Sequence, residues 1–365
     1  MLKLAFQGDA SAEIVAFGKF VANDLSKVTN GFEAWSQIPI FVFNAQLVRK
    51  LRSADRRTGD VHRIDFSHSE TSRPLHVDIA PALLLSADGA TQVAHYPGPR
   101  EEGVLEVLYR IATEQGCGVH AGDRIAGVRF TFALVRQHLK RHNHGMNYPD
   151  IALSLRILQN TRLSIFSKDM IDPLYEGAPL PQIIRDDSGT NRKEIARIAE
   201  FPWPVARMIG SANYRQLDYG VLMTLKRPIA RWLYRRLCFR WINADMTNTY
   251  HFKFTTVLET GYLHSLRSDR QRKLIDQALD ELVANGVIRS EPGRRVVYGG
   301  ARGIDILDVV YTVSATQEFT VAQRAANRRA KEGCVGDGAP GGSALTDAGP
   351  MPTPARRVAR ETRPR

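Results

Sequence analysis

Apolar positions recur along this chain at steps of three and four in some stretches and at steps of two in others. The first spacing puts side chains on one face of a helix and the second on one face of a strand. Residues 1–35 show no clear period and read as a weakly structured arm, and Ile38-Pro39-Ile40-Phe41-Val42-Phe43 reads as a strand or the start of a buried segment. A charged turn, Asp55-Arg56-Arg57-Thr58-Gly59-Asp60, follows. Residues 75–85 and 91–96 read as a hairpin turning at Ala87-Asp88-Gly89. Pro97-Gly98-Pro99 breaks the chain before a helix over 100–115, with Val104, Leu108 and Ile111 in step and Val107 alongside. Glu101 and Glu102 suit its positive end, and Gly116 and Gly118 stop it. A second helix over 130–140 carries Phe130, Leu134 and Leu139, and His142-Asn143-His144-Gly145 makes a turn. A third opens at Asn147 as N-cap, tolerates Pro149 in its first turn and carries Ile151, Leu155 and Leu158. Residues 161–166 alternate as a strand.

A similar order returns further on. The pattern predicts a helix over 227–241 with Ile229, Leu233, Leu237 and Trp241 buried. Its opposite side carries Arg227, Arg231 and Arg235, and Arg236 and Arg240 broaden the basic surface. Residues 250–258 contain a two-residue alternation at Phe252 and Phe254. Ser268-Asp269-Arg270-Gln271 has the form of a capping box, and Ile275, Ala278, Leu279 and Leu282 make the apolar face of the helix it opens. Asn285-Gly286 ends that helix, Val287-Ile288 begins a strand and Pro292-Gly293 turns it. Arg294-Arg295 leads into Val296-Val297-Tyr298, a hairpin with a basic tip.

Helix, helix, turn, helix and strand, in that order, is a helix-turn-helix with an appended wing. The expected class is α+β, with two tandem winged-helix domains and a disordered basic C-terminal tail. Residues 1–70 form a partly ordered N-terminal arm, 71–210 the first winged helix, 211–315 the second and 316–365 the tail, which is rich in Arg, Pro and Gly. The ending MPTPARRVARETRPR has too little apolar surface to hold a fold, and reads as a passive terminus or a loose contact to DNA.

Charge then narrows the partner. Lys and Arg number 50 against 38 for Asp and Glu, a formal charge of +12 that favours a polyanion. Cys117, Cys238 and Cys334 are too far apart for a zinc motif and odd in number for a disulfide scaffold, as suits a reducing cytoplasm. The opening MLKLAFQGDA lacks the apolar stretch of a signal peptide, and no window approaches the ~18 apolar residues of a membrane span.

In a winged helix the helix after the turn enters the major groove and the wing meets phosphates or the minor groove. In the second copy that helix presents Arg270, Lys273 and Gln277, with Arg267, Arg272, Arg289, Arg294 and Arg295 around it. Arg reads guanine and Gln adenine with paired hydrogen bonds, while Lys suits base or phosphate. The first copy is poorer in charge and presents Tyr148, Ser154, Arg156 and Gln159, with Arg162 just beyond; contact between protomers is an alternative use for it. No catalytic residue, metal ligand or cofactor site is expected. His142-Asn143-His144 only superficially resembles an HNH nuclease start, has Asn where relaxases place an apolar residue, and reads as a turn with two exposed histidines. There is no Gly-rich loop followed by Lys-Ser/Thr and no Gly-x-Ser-x-Gly.

Three stretches bear a family likeness. They are Tyr96-Pro97-Gly98-Pro99-Arg100-Glu101-Glu102-Gly103-Val104-Leu105, the run 151–165, and Tyr214-Arg215-Gln216-Leu217-Asp218-Tyr219 with the run 225–237. In order and spacing they resemble bacterial plasmid replication initiators built from tandem winged helices, over roughly residues 75–313. The resemblance implies binding to direct repeats in double-stranded origin DNA, opening of a nearby A·T-rich region, and recruitment of the host helicase and host initiator. It also implies a shift between an autorepressing homodimer and an initiating monomer. The missing catalytic motifs argue against an enzymatic step, and the missing signal and span point to a cytoplasmic, nucleoid- or plasmid-associated location. A winged-helix transcriptional regulator is the alternative, and a metal-dependent nickase or relaxase a third reading. The first 70 residues and the tail match nothing in that family.

Overall fold

Residues 28–31 and 33–43 are built into the fold. The computed structural model describes residues 28–31, 33–43, 45–51, 60–67, 74–86, 89–115, 126–168, 171–186, 195–210, 215–258, 263, 266–299 and 305–334. Strand β1 (Val28–Gly31) pairs antiparallel with residues 215–218. Trp35 of helix α1 (Glu33–Ser36) and the run Ile40-Phe41-Val42 are buried in the first core, and the Val42 N–H donates to the Pro97 carbonyl at 2.7 Å. Residues 1–27 of the partly ordered arm expected over 1–70 lie outside the described residues, while residues 35–42 belong to the first domain's core. Aromatic and branched side chains there enter the core, where burying each one gains about 1.5–3 kcal/mol. The run is buried without forming a strand.

Helix α2 (Ala45–Leu51) and strands β2 (His62–Ser67), β3 (Pro74–Ala80), β4 (Ala82–Leu85) and β5 (Gln92–His95) follow. The single strand expected over 75–85 is two, separated at Pro81, which has no N–H for a ladder. β3 joins a sheet of order β2-β3-β7-β8, in which β7 is Arg162–Ser167 and β8 is Tyr175–Gly177. β4 and β5 form the separate hairpin.

The first winged helix comprises α3 (Pro99–Glu114), β6 (Gly127–Phe130), α4 (Phe132–Arg141), α5 (Tyr148–Asn160), β9 (Ile183–Asp186) and β10 (Ala196–Glu200). Local chemistry sets each start. The Glu101 carboxylate accepts the Gly98 N–H at 2.8 Å, Thr131 Oγ1 accepts from Leu134 N at 3.1 Å, and Asn147 Oδ1 accepts from Asp150 N at 2.7 Å. Asn143 turns the chain between α4 and α5 at φ 60°, a conformation that Asn tolerates better than most residues. A Cβ on Gly127 would lie 2.6 Å from the Ala199 carbonyl oxygen, so only glycine permits β6 to close on β10 there. The strand at 161–166 is real, but it pairs with β3 and β8 in the accessory sheet rather than with β6. It is therefore not the wing, which is β9–β10; the turn between them and Gly116 and Gly118 lie outside the described residues.

Helix α6 (Trp203–Gly210) and strand β11 (Arg215–Asp218), the partner of β1, lead to helix α7 (Tyr219–Thr224). α7 serves both cores: Tyr219 and Met223 enter the first, Leu222 the second. The second winged helix comprises α8 (Pro228–Arg240), β12 (Thr249–Lys253), α9 (Phe254–Leu258), α10 (Ser268–Ala284), β13 (Gly293–Gly299) and β14 (Asp305–Ser314). Its sheet order is β12-β14-β13 and that of the first is β6-β10-β9. In both, the last strand lies between the other two, as a winged helix requires, so the class is α+β with tandem winged helices.

Four sequence expectations change here. Arg231 and Arg235 do not form an open basic face; they are ion-paired with Glu102 and Glu106 of α3, because a buried guanidinium needs a carboxylate. Ser268 is the first residue of α10 rather than its cap, and Gln271 is buried and donates to the Leu263 carbonyl. Val287-Ile288 forms no strand, only a bridge from Ile288 to Ala315, and the hairpin is β13–β14. Finally, the tail expected from 316 begins as helix α11 (Gln317–Cys334). Phe319, Thr320, Gln323 and Ala326 are buried, and Asn327 donates to the Ile242 carbonyl at 2.8 Å. Its apolar residues are too sparse to declare a helix by composition, but they share one face. Residues beyond 334 lie outside the described set.

Candidate nucleic-acid interface

α10 sits on the second core through Ile275, Ala278, Leu279 and Leu282, all buried. Gly286 at φ +66° ends it after Asn285. That seating directs Arg267, Arg270 and Lys273 to solvent, with Gln277 half-buried beside them. The exposed Arg294 pairs with Asp276 of α10 at 3.3 Å, joining wing to helix and neutralising an acid on the presented side. Arg295 is exposed next to it, opposite Val310. Both arginines stand at the start of β13, away from its paired end at Gly299 and Asp305, and not at the hairpin tip; residues 300–304 lie outside the described residues. Arg289 is exposed, yet its guanidinium donates to the Ala315 and Met246 carbonyls at 3.0 and 3.1 Å. It braces the strand base and is poorly placed to reach a ligand.

The first domain distributes charge differently. On α5, Arg156 is exposed, Gln159 half-buried and Ser154 buried. Arg162 pairs with Glu176 at 3.1 Å on the accessory sheet, away from the wing strands. Sequence reading missed the cations of α4 and the wing. Arg136 of α4 lies 5.3 Å from the centroid of exposed Tyr148, and Arg197 of β10 lies 3.8 Å from that of Phe132. Arg185 of β9 stands directly opposite Arg197. Like charges opposed across strands repel; burial, and then Arg185, lower the pKa of Arg197. An anion at this wing would relieve that repulsion. Neither Ile183-Ile184-Arg185-Asp186 nor Ala196-Arg197-Ile198-Ala199-Glu200 alternates cleanly, so the sequence carries little signal for these strands once 161–166 is assigned to the wing.

His142 and His144 are half-buried rather than exposed. His142 packs edge-on against Tyr219 at 5.0 Å, and His144 Nε2 lies 2.7 Å from the Met223 carbonyl oxygen. They dock the turn onto α7. Among the described residues no group of three His, Cys, Asp or Glu is arranged to hold a metal. No described helix is long and apolar enough to cross a membrane.

No protein-family model and no curated protein matches the chain. Among solved structures, a crystal structure of domains 2 and 3 of RctB aligns with TM-score 0.45 and 10% identity over 78% of this chain and 98% of that one. A second RctB domain 2–3 structure gives 0.41 and 10% over 80% and 99%. The Pi initiator protein in complex with iteron DNA gives 0.36 and 12% over 60% and 96%. The winged-helix assignment above stands on strand order and helix capping within this chain.

Proposed function

We propose that the chain is a non-enzymatic initiator of plasmid replication that grips direct repeats in double-stranded origin DNA. One observation carries this reading: two helix-turn-helix units with the same sheet order are joined by one shared helix, and α10 holds Arg267, Arg270 and Lys273 in solvent. Recognition helices insert in the major groove and read base edges, while arginines on wings and neighbouring helices hold phosphates. On this reading α10 supplies sequence readout, and Arg136, Arg185 and Arg197 supply backbone contacts from the first domain. The sequence resemblance extends the proposal to opening of an A·T-rich region and to recruitment of the host helicase and initiator.

Footprinting of the purified chain on its own origin region, with and without Mg²⁺, tests it. The expected result is protection at regular intervals over direct repeats and intact strands in both conditions. Protection of a single promoter palindrome would favour a transcriptional regulator, and Mg²⁺-dependent nicking would reject a non-enzymatic role.

A further inference from the structure

We propose that a run of hydrogen bonds and ion pairs from α5 to α10, buried at its centre, fixes the separation of the two recognition helices, and so sets which spacing of DNA half-sites the protein accepts. This rests on the reading that both domains contact DNA. Glu101 and Glu102 are consecutive on α3 and serve opposite partners. Ser154 Oγ of α5 donates to Glu101 Oε1 at 2.8 Å, and the other oxygen of Glu101 holds the Gly98 N–H. Glu102 takes Arg231 Nη2 of α8 at 2.5 Å on one oxygen and both terminal nitrogens of Arg235 at 3.2 Å on the other. Arg235 Nη2 also reaches Glu106 at 2.6 Å. Arg231 Nη1 donates to the Leu225 carbonyl at 3.0 Å, just past the end of α7. The last link is Glu281 of α10, which accepts the backbone N–H groups of Lys226 and Arg227 at 3.0 and 3.1 Å and pairs with the Arg227 guanidinium.

The central links are dry. Side-chain exposure is 4% for Glu102, 9% for Arg231, 11% for Arg235 and 14% for Glu106. Charges so enclosed tolerate few alternative geometries, since each displaced partner leaves a desolvated ion unpaired. Because α7 also belongs to both cores, the two helix-turn-helix units are clamped at two places and cannot turn independently. Inserting one base pair between half-sites moves the second by roughly 3.4 Å and rotates it by roughly a tenth of a turn. A flexible linker absorbs that shift and a clamped pair does not. Glu101, Glu102, Arg231 and Arg235 are therefore positioning residues: they touch no DNA, yet they decide which DNA fits.

The test uses the full chain and duplexes built on the half-sites found by footprinting, separated by zero to five inserted base pairs, together with duplexes carrying one half-site. Fluorescence anisotropy should show wild-type affinity falling about tenfold or more within one or two inserted base pairs. Glu102→Gln should flatten that profile to within about threefold, while single half-site affinity stays within about twofold of wild type. A sharp optimum retained in the variant overturns the proposal, as does a wild type that binds every spacing equally. Should Glu102→Gln fail to fold, Arg235→Gln and Ser154→Ala break the same run elsewhere, and a sharp optimum in both is equally fatal. Wild-type protein that binds no duplex would overturn the DNA-binding reading itself.

Discussion

In the second domain the chain passes from α10 directly into the wing, whereas in the first it leaves α5 for the accessory sheet and returns to build the wing later. The recognition helices differ accordingly. α10 is seated on one side only and offers cations along the other. α5 is gripped more widely: Ile151, Leu155 and Leu158 enter the first core, Ile157 packs on Ala82 and Leu84 of the β4–β5 hairpin, and Ser154 is tied to Glu101. Little of α5 is left for bases, and the neighbouring cations lie on α4 and the wing, two of them stacked on aromatic rings. Stacking fixes a guanidinium before it meets phosphate, so binding costs it less entropy. On the proposed reading α10 is the richer base reader, α5 reads a narrower half-site with Arg156 and Gln159, and α4 and the first wing hold the backbone.

The largest expected effect comes from cutting what the domains share. Tyr219→Ala removes a side chain 4% exposed that packs under Arg110, His138 and His142, and should cost about 3 kcal/mol. Thermal unfolding should then split into two transitions; one unshifted transition would mean that the domains do not depend on α7. Next in size is DNA recognition. Arg270→Ala with Lys273→Ala should weaken specific binding by about 1 kcal/mol or more for each base or phosphate that goes unheld, without changing the fold by circular dichroism. Unchanged affinity would remove α10 as the reading helix.

A smaller effect separates the two domains by kind. Arg185→Ala with Arg197→Ala should reduce affinity almost equally for specific and unrelated DNA, and lower the slope of log affinity against log salt by about 0.9 for each phosphate no longer neutralised. A weakening confined to the specific sequence would make the first wing a base reader and erase the contrast with α10.

The second domain is the more legible in sequence because little interrupts it. Ile275, Ala278, Leu279 and Leu282 announce a buried face, and what faces away follows. The first domain is legible only to the end of α5, where Asn147 and Pro149 mark a helix start that the structure reproduces. After that, alternation at 161–166 shows a strand without naming its partner, because period-two patterning reports a face and not a neighbour. The same limit applies to Arg231 and Arg235. A row of arginines looks solvated until residues more than a hundred positions away place Glu102 and Glu106 against it.

The smallest expected effect concerns pH and tests whether the junction is as dry as its contacts imply. Burial lowers the pKa of His138 and of His142, and Arg110 and Arg141 nearby push the same way; on His138 the 3.3 Å Glu114 contact opposes them without reversing the direction. Each ring therefore binds a proton more readily unfolded than folded. Stability is full above the ordinary value of 6.5 and falls as pH drops through it. The melting temperature should decline between pH 7.5 and 5.5, and His142→Gln should make that decline shallower while leaving the second domain's own transition alone in the Tyr219→Ala background. A decline equally steep in His142→Gln would move the titrating groups away from the α4–α7 contact and leave Tyr219 packing, not histidine burial, as what the first domain contributes to the shared helix.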